Sequence, residues 1–511
     1  MIELDGSSLT LNQLVAIAHD NETVGLSNAA RERVRAARAV VEEFAHRDEP
    51  TYGINTGFGN FANVKIPIDQ LDTLQVNLLR SHAAGVGDPL PVPVVRATMA
   101  LRANVLAKGF SGIRVETLER LIELLNRGVH PLVPSRGSVG ASGDLAPLAH
   151  LALVLIGEGE VLLHDEEGRR DEAREAKAVS ALRQAGLERI TLHAKEGLAL
   201  INGTQASTAL ALDALFQGER VFAAAIAAGA LSVDALKGSA KPFDPRISEL
   251  RGQPGQIRVA AAIHGLLQGS EILTSHVECS RVQDPYSFRC QPQVMGAALD
   301  LLQNAANTLT IEAAAVTDNP IVFADEDTAI SGGNFHAQPV AFAADTIAIA
   351  LCEVGSISER RISVLVDPKM SGLPAFLTED SGVNSGLMIP QVTAAALVSE
   401  NKTFAYPASV DSIPTSAGQE DHVSMAPIAA RKAAQIARNA AGVIAVELMA
   451  GAEGIDYHGP LKTSPKLQQI YAAVRARSPH FTADRYWADE MSSLQSAVLA
   501  GEIGAEGVGL G

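Results

Sequence analysis

Cysteine is nearly absent. Cys279, Cys290 and Cys352 are the only three in 511 residues, with no CxxC pair and an odd count. That excludes a disulfide framework and a zinc knuckle and fits a protein of the reducing cytoplasm. Aromatic residues are scarce, at 4% with a single Trp. Charge is thin as well: Asp, Glu, Lys and Arg make up 19%, below the ~25% of an average soluble domain, which implies much buried surface, some of it between subunits. Positive charge is shortest of all, 41 Lys and Arg against 58 Asp and Glu, for a net charge of −17 and no basic block. Nucleic acid and anionic membranes are therefore not expected as partners. Long apolar runs are also missing. The longest uncharged stretch, residues 381–399, contains Ser, Asn, Gly, Pro and Gln and is no membrane span. The opening MIELDGSSLTLNQL carries Glu3 and Asp5 and lacks the basic-then-apolar layout of a signal segment.

What is present is helix. Hydrophobic residues reach 47%, enough for a sizeable core, and the length suggests ~three domains at ~150 residues each. Val115, Leu118, Leu121, Ile122 and Leu125 recur at helical spacing, with Gly128 as a left-handed stop. Residues 340–366 lack proline and as one helix would be ~40 Å long at 1.5 Å per residue. Ala-rich stretches at about 256–279, 297–316 and 426–452 favour helix and close helix packing. Strand-like runs are short: 161–164, and Ile321–Phe323 facing Thr328–Ile330 across an acidic turn. A very polar segment, 164–177, separates an N-terminal region from a long helical body. The expected fold is mostly α: a long-helix bundle over 191–511, preceded by a smaller N-terminal α region over 1–190, with a few short strands.

Several segments invite chemistry. Gly57-Phe58-Gly59-Asn60-Phe61-Ala62 mimics a dinucleotide loop, but a polar lead-in replaces the strand that such a loop needs, so no nucleotide is expected. Thirteen histidines form no HExxH, and no metal is expected. Ser142 lies among glycine and alanine in Gly140-Ala141-Ser142-Gly143-Asp144, where the backbone can bend tightly; read alone, this is a turn with Asp144 as the cap of the next helix. Residues 283–293 place Gln283, Tyr286 and Arg289 together, and arginine grips carboxylates in bidentate fashion. Glu420, Asp421 and His422 could support proton transfer if one carboxylate is buried; alone they read as a solvated helix start.

Together these segments carry more. Residues 52–59 (YGINTGFG), 81–85 (SHAAG), 140–144 (GASGD), 200–204 (LINGT), 283–293, 333–336 (GNFH) and 419–422 (QEDH) stand in the order that resembles the aromatic amino acid ammonia-lyase family, over roughly 5–500. The aspartase/fumarase-type lyases share the long-helix bundle but use a Gly-Ser-Ser loop followed by Met-Pro, absent here. The resemblance implies that Ala141, Ser142 and Gly143 cyclise into a 4-methylidene-imidazol-5-one (MIO) group. Gly143 offers an unhindered amide nitrogen to the Ala141 carbonyl, and Ser142 the hydroxyl that leaves as water.

By the same resemblance, Tyr52 is the base that takes the β-proton, with Tyr286 as the other active-site tyrosine and the assignment between them open. Arg289 binds the substrate carboxylate, with Asn202 and Gln283 beside it. Phe335 walls the pocket, and Asp144 holds the loop for cyclisation. His82, preceded by Ser81, and Glu420 occupy the positions that distinguish histidine-specific members, so L-histidine, released as trans-urocanate, is the expected substrate. A tyrosine or phenylalanine lyase, or an aminomutase, is the alternative. A homotetramer with sites shared between subunits is also implied. One departure is Gly418, where many members have Asn.

Overall fold

Runs of small and apolar residues with no proline beyond the first turn become long helices, as their composition dictates. The computed structural model describes residues 1–164, 170–276 and 282–509; for Asn60 and for residues 163, 164 and 170–175 the backbone alone is described. Among the described residues, helices dominate and strands are confined to small sheets. The longest helices are Gln205–Ala235, Gln291–Ala313, Gln338–Val366 and Ala426–Asp456, of 31, 23, 29 and 31 residues. The last two cover the stretches expected at 340–366 and about 426–452, and Gln291–Ala313 covers the one at about 297–316 up to Ala313. The stretch at 256–279 differs. Helix Pro254–Leu267 stops, Gly269 turns left-handed at φ +83°, and Ser270 caps a separate short helix, Glu271–Thr274. Residues 277–281, with Cys279, lie outside the described residues, as does 165–169 within the polar segment.

Helices Gln205–Ala235 and Gln338–Val366 are long and apolar enough to cross a membrane, but 72% and 67% of their apolar windows are buried in the protein. Such helices are core.

Two compact units divide the chain, each assembled from three segments. The first comprises Met1–Leu212, Asn307–Phe342 and Ala408–Ala430; the second Asp213–Ala306, Ala343–Pro407 and Arg431–Gly511. In the first unit, helix Val92–Ala107 is buried almost all round, as its even apolar coverage requires. Helix Val115–Asn126 buries Val115, Leu118, Leu121, Ile122 and Leu125, with Gly128 at φ +67° behind it. Val40, Val41 and Phe44 of helix Asn28–His46 pack with Ile54 and Val322. Strand Ile321–Phe323 pairs antiparallel with Thr328–Ile330, Ile321 opposite Ile330, and Glu160–His164 forms the expected strand between His130–Pro131 and Arg170–Lys177.

In the second unit the long helices approach so closely that a Cβ on Gly229 would lie 2.0 Å from Gln291 Oε1. At its centre Glu447, fully buried, accepts Arg361 Nε and Nη2 at 2.5 and 2.8 Å and the hydroxyls of Ser232 and Ser358 at 2.8 and 2.6 Å. A buried ion pair is tolerable only when its remaining lone pairs are satisfied in this way.

Candidate active site

Residues 138–144 form a loop ahead of helix Leu145–Leu153, and it is pinned from several sides. Gly140 and Gly143 are left-handed, at φ +66° and +74°. At Gly143 a Cβ would lie 2.4 to 2.7 Å from the Gly203 backbone, so no other residue fits. Asp144 N donates to Gly203 O at 2.7 Å. The Gly140 carbonyl accepts Ser424 Oγ at 2.8 Å, and Met425 N donates to Val139 O at 2.8 Å. Ala141 is buried against Val423 and Met425. Asn202 Nδ2 donates to Ser142 O at 3.2 Å, while Asn202 Oδ1 is buried with no hydrogen-bond partner among the described residues.

Asp144 occupies the cap position of helix Leu145–Leu153 but does not cap it, contrary to the turn reading of the sequence. Its fully buried carboxylate instead accepts Ser207 N and Oγ, both at 2.7 Å, and Ser138 Oγ at 3.2 Å. Ser207 lies in the first turn of helix Gln205–Ala235, whose amides have no partner within the helix. Asp144 thus ties the Ser142 loop to the start of a long helix. Burial pushes its carboxyl up, opposed by these hydrogen bonds.

Glu420 meets the loop from the far end of the first unit's sequence. Ser142 Oγ donates to Glu420 Oε1, and Thr415 Oγ1 donates to Oε2 at 2.6 Å. Ser416, Ala417 and Gly418 between them are left-handed, at φ +51°, +56° and +87°. Gly418 has nothing near its Cβ position, so Asn, the non-glycine residue most tolerant of this region, would find room there. The 3-10 turn Ser416–Gly418 packs on the turn Gly59–Phe61, which follows Tyr52.

Tyr52 is half-buried, its hydroxyl 3.5 Å from Gly59 N. Burial raises its phenol above the ordinary range, the Gly59 amide opposes this, and the Glu420 charge adds to it. His82 ends helix Leu71–His82, with Nδ1 2.9 Å from Leu78 O and 3.0 Å from Ser81 Oγ. A carbonyl only accepts, so Nδ1 carries the hydrogen and Nε2 is the ring's acceptor. Burial lowers its pKa, with Leu78 O and Glu420 opposing, which favours the neutral ring. Half-buried Phe335 sits in the loop whose Ala337 N reaches Gly140 O at 3.4 Å. Next to it, His336 Nε2 donates to His422 O at 3.1 Å, the two rings stacked at 5.8 Å.

The structure therefore gathers Tyr52, His82, Ser142, Asn202, Phe335 and Glu420 in the first unit. Tyr286 and Arg289 form their own cluster within the second: the guanidinium lies 4.5 Å over the exposed Tyr286 ring, and Arg289 Nε is buried without a hydrogen-bond partner among the described residues. Gln283 is exposed there too. Thr415, Ser207 and His336 were not assigned roles from sequence; their nearness to named motifs is the only hint. Among the described residues, Glu453, Asp456 and His480 in the second unit could hold a metal ion. Both carboxylates are already bound by Arg475, which offsets part of their charge.

A family profile described as Aromatic amino acid lyase matches residues 9–476. The chain belongs to the aromatic amino acid lyase family. Histidine ammonia-lyase of Burkholderia pseudomallei (strain 668) is 56% identical over 498 residues, 98% of this chain and 97% of that protein. Among solved structures, histidine ammonia-lyase from Trypanosoma cruzi superposes with a TM-score of 0.90 at 43% identity, covering 98% of this chain and 94% of that one. Tyrosine aminomutase from Streptomyces globisporus gives 0.92 at 36%, covering 98% and 97%. The fold is common to lyase and aminomutase, and identity favours the lyase.

Aromatic amino acid lyases use the MIO group. The residues here fit it. Gly143 is held where only glycine is possible, the carbonyls of Gly140 and Ser142 are each fixed by a side chain, and Asn202 Oδ1 is a buried acceptor left over beside the loop.

Proposed function

We propose that this chain eliminates ammonia from L-histidine to give trans-urocanate, with Ala141, Ser142 and Gly143 as the precursor of MIO. The observation that carries the reading is the polar pair at the specificity positions: the Glu420 carboxylate on the Ser142 hydroxyl, with its charge felt by the neutral His82 ring. An imidazole both donates and accepts hydrogen bonds, whereas a phenyl ring would leave both groups unpaired at ~1–3 kcal/mol each. The near-full-length relatives named histidine ammonia-lyase support the same choice.

Once formed, MIO supplies an electrophile for the substrate amine, making it a better leaving group. The chain's own residues do the rest. Arg289 holds the substrate carboxylate, assisted by Asn202 and Gln283. Tyr52 takes the β-proton. Burial holds its phenol above the ordinary range, so it rests protonated and must give up that proton before it can act as the base. Tyr286, under the Arg289 guanidinium, is the alternative base. Phe335 walls the pocket, and Asp144 keeps the loop bent for cyclisation.

We further infer a cytoplasmic homotetramer with active sites completed by neighbouring subunits, and no nucleic acid or membrane partner. A substrate panel with product identification tests the reading. L-histidine giving urocanate and free ammonia, with tyrosine and phenylalanine at background, is expected. A β-amino acid product would assign the chain to the aminomutases.

A further inference from the structure

We infer that Thr415 is the positioning residue for Glu420 and sets how firmly the site grips the substrate ring. The inference rests on the reading of this site as one that deaminates histidine. Two hydrogen bonds reach the Glu420 carboxylate among the described residues: Ser142 Oγ on Oε1 and Thr415 Oγ1 on Oε2. They are not equally lasting. The Ser142 hydroxyl is the group that leaves as water when the tripeptide cyclises, so maturation strips Oε1 of its donor and releases it towards the substrate. Thr415 then holds the carboxylate by the other oxygen.

Its backbone is built for that task. Thr415 N donates to Glu420 O at 2.9 Å and Glu420 N to Thr415 O at 3.3 Å, closing a small loop. Ser416 and Ala417 inside it pay a backbone penalty as non-glycine residues at positive φ, and such conformations persist only where surroundings over-determine them. Here the turn Ser416–Gly418 rests on Gly59–Phe61, and Val423 N is held by Ser412 Oγ at 3.0 Å just beyond Glu420. Within that frame, a charge-assisted hydrogen bond removes the rotamer freedom of the carboxylate before the substrate arrives, and the cost of ordering it on binding falls.

Thr415→Val removes the hydroxyl and keeps the shape, and Thr415→Ser restores the hydroxyl. Each is made in the wild type and in Glu420→Gln. The readouts are kcat and KM on L-histidine, the Kd of trans-urocanate by calorimetry, and intact mass to confirm the lost waters of the prosthetic group. Thr415→Val should mature fully, lose about tenfold in kcat/KM and weaken urocanate by a similar factor, the weight of one hydrogen bond to a charged group. Thr415→Ser should stay near wild type, and in Glu420→Gln the Val change should add nothing. The inference is overturned by wild-type behaviour of Thr415→Val, by an equal loss in both backgrounds (a folding defect included), or by an unmodified mass. If the wild type releases no ammonia from L-histidine, the substrate reading falls, and the same cycle judges Thr415 with whichever aromatic amino acid the panel identifies.

Discussion

A methyl group added at Gly143 would collide with the backbone of Gly203, and the same backbone accepts the amide of Asp144. Gly143→Ala should therefore carry the mass of the unmodified chain, whereas the wild type is lighter by the waters lost on cyclisation; a fully matured Ala variant would show that the contact is not needed. Tyr52→Phe keeps the ring and removes the proton acceptor. Its mass should match a matured chain while kcat falls by ~10²–10⁴, the usual weight of a general base; a loss confined to KM would move the role to Tyr286. Residues such as Ser142 and Tyr52 were legible only through the order of several motifs that together resemble the family, since the Ser142 segment read alone is a turn. Thr415 was not, because its meaning depends on Glu420 reaching a hydroxyl 278 positions away. Asp144 was half-legible: its place after the tripeptide was plain, but a sequence cannot say that its carboxylate satisfies the first turn of a different helix.

Helices were legible where apolar or Ala-rich runs carried no proline beyond their first turn, which is why 340–366 and 426–452, with Pro427 at its start, appear as expected. Helix Gln205–Ala235, equally long, was not singled out, since its apolar residues spread round every face and leave weak periodicity. The break at Gly269 was overlooked because a single glycine is tolerable inside a helix until its φ turns positive. Asp213 on helix Gln205–Ala235 carries a pH prediction. Burial lifts its carboxyl from 3.8 to about 6, against Arg438, Gln217 and Arg220. A carboxyl raised on folding favours the folded state at acid pH, and that contribution is lost as pH rises through about 6. Asp213→Asn should thus raise Tm at pH well above 6 and change it little in the ordinary carboxylate range. A variant with the same Tm shift at both ends would contradict the assignment.

On the scale of the whole molecule, low charge content and exposed apolar side chains on long helices point the same way. Leu301 and Ile311 of helix Gln291–Ala313, Phe342 and Ile349 of Gln338–Val366, and Ile389 and Val392 of Met388–Phe404 stand in the open in a single chain. Covering such faces is what self-assembly accomplishes. If the proposed tetramer shares its sites, mixing Tyr52→Phe with Arg289→Ala and allowing subunits to exchange should recover activity that neither has alone; strictly additive loss would contradict shared sites. The central claim is simpler and can be met head-on. Purified wild type and Ser142→Ala are given L-histidine side by side, and urocanate is followed by its absorbance. A rise with the wild type alone is the predicted result, tying deamination to the tripeptide. An equal rise in both, or none in the wild type, would contradict the account.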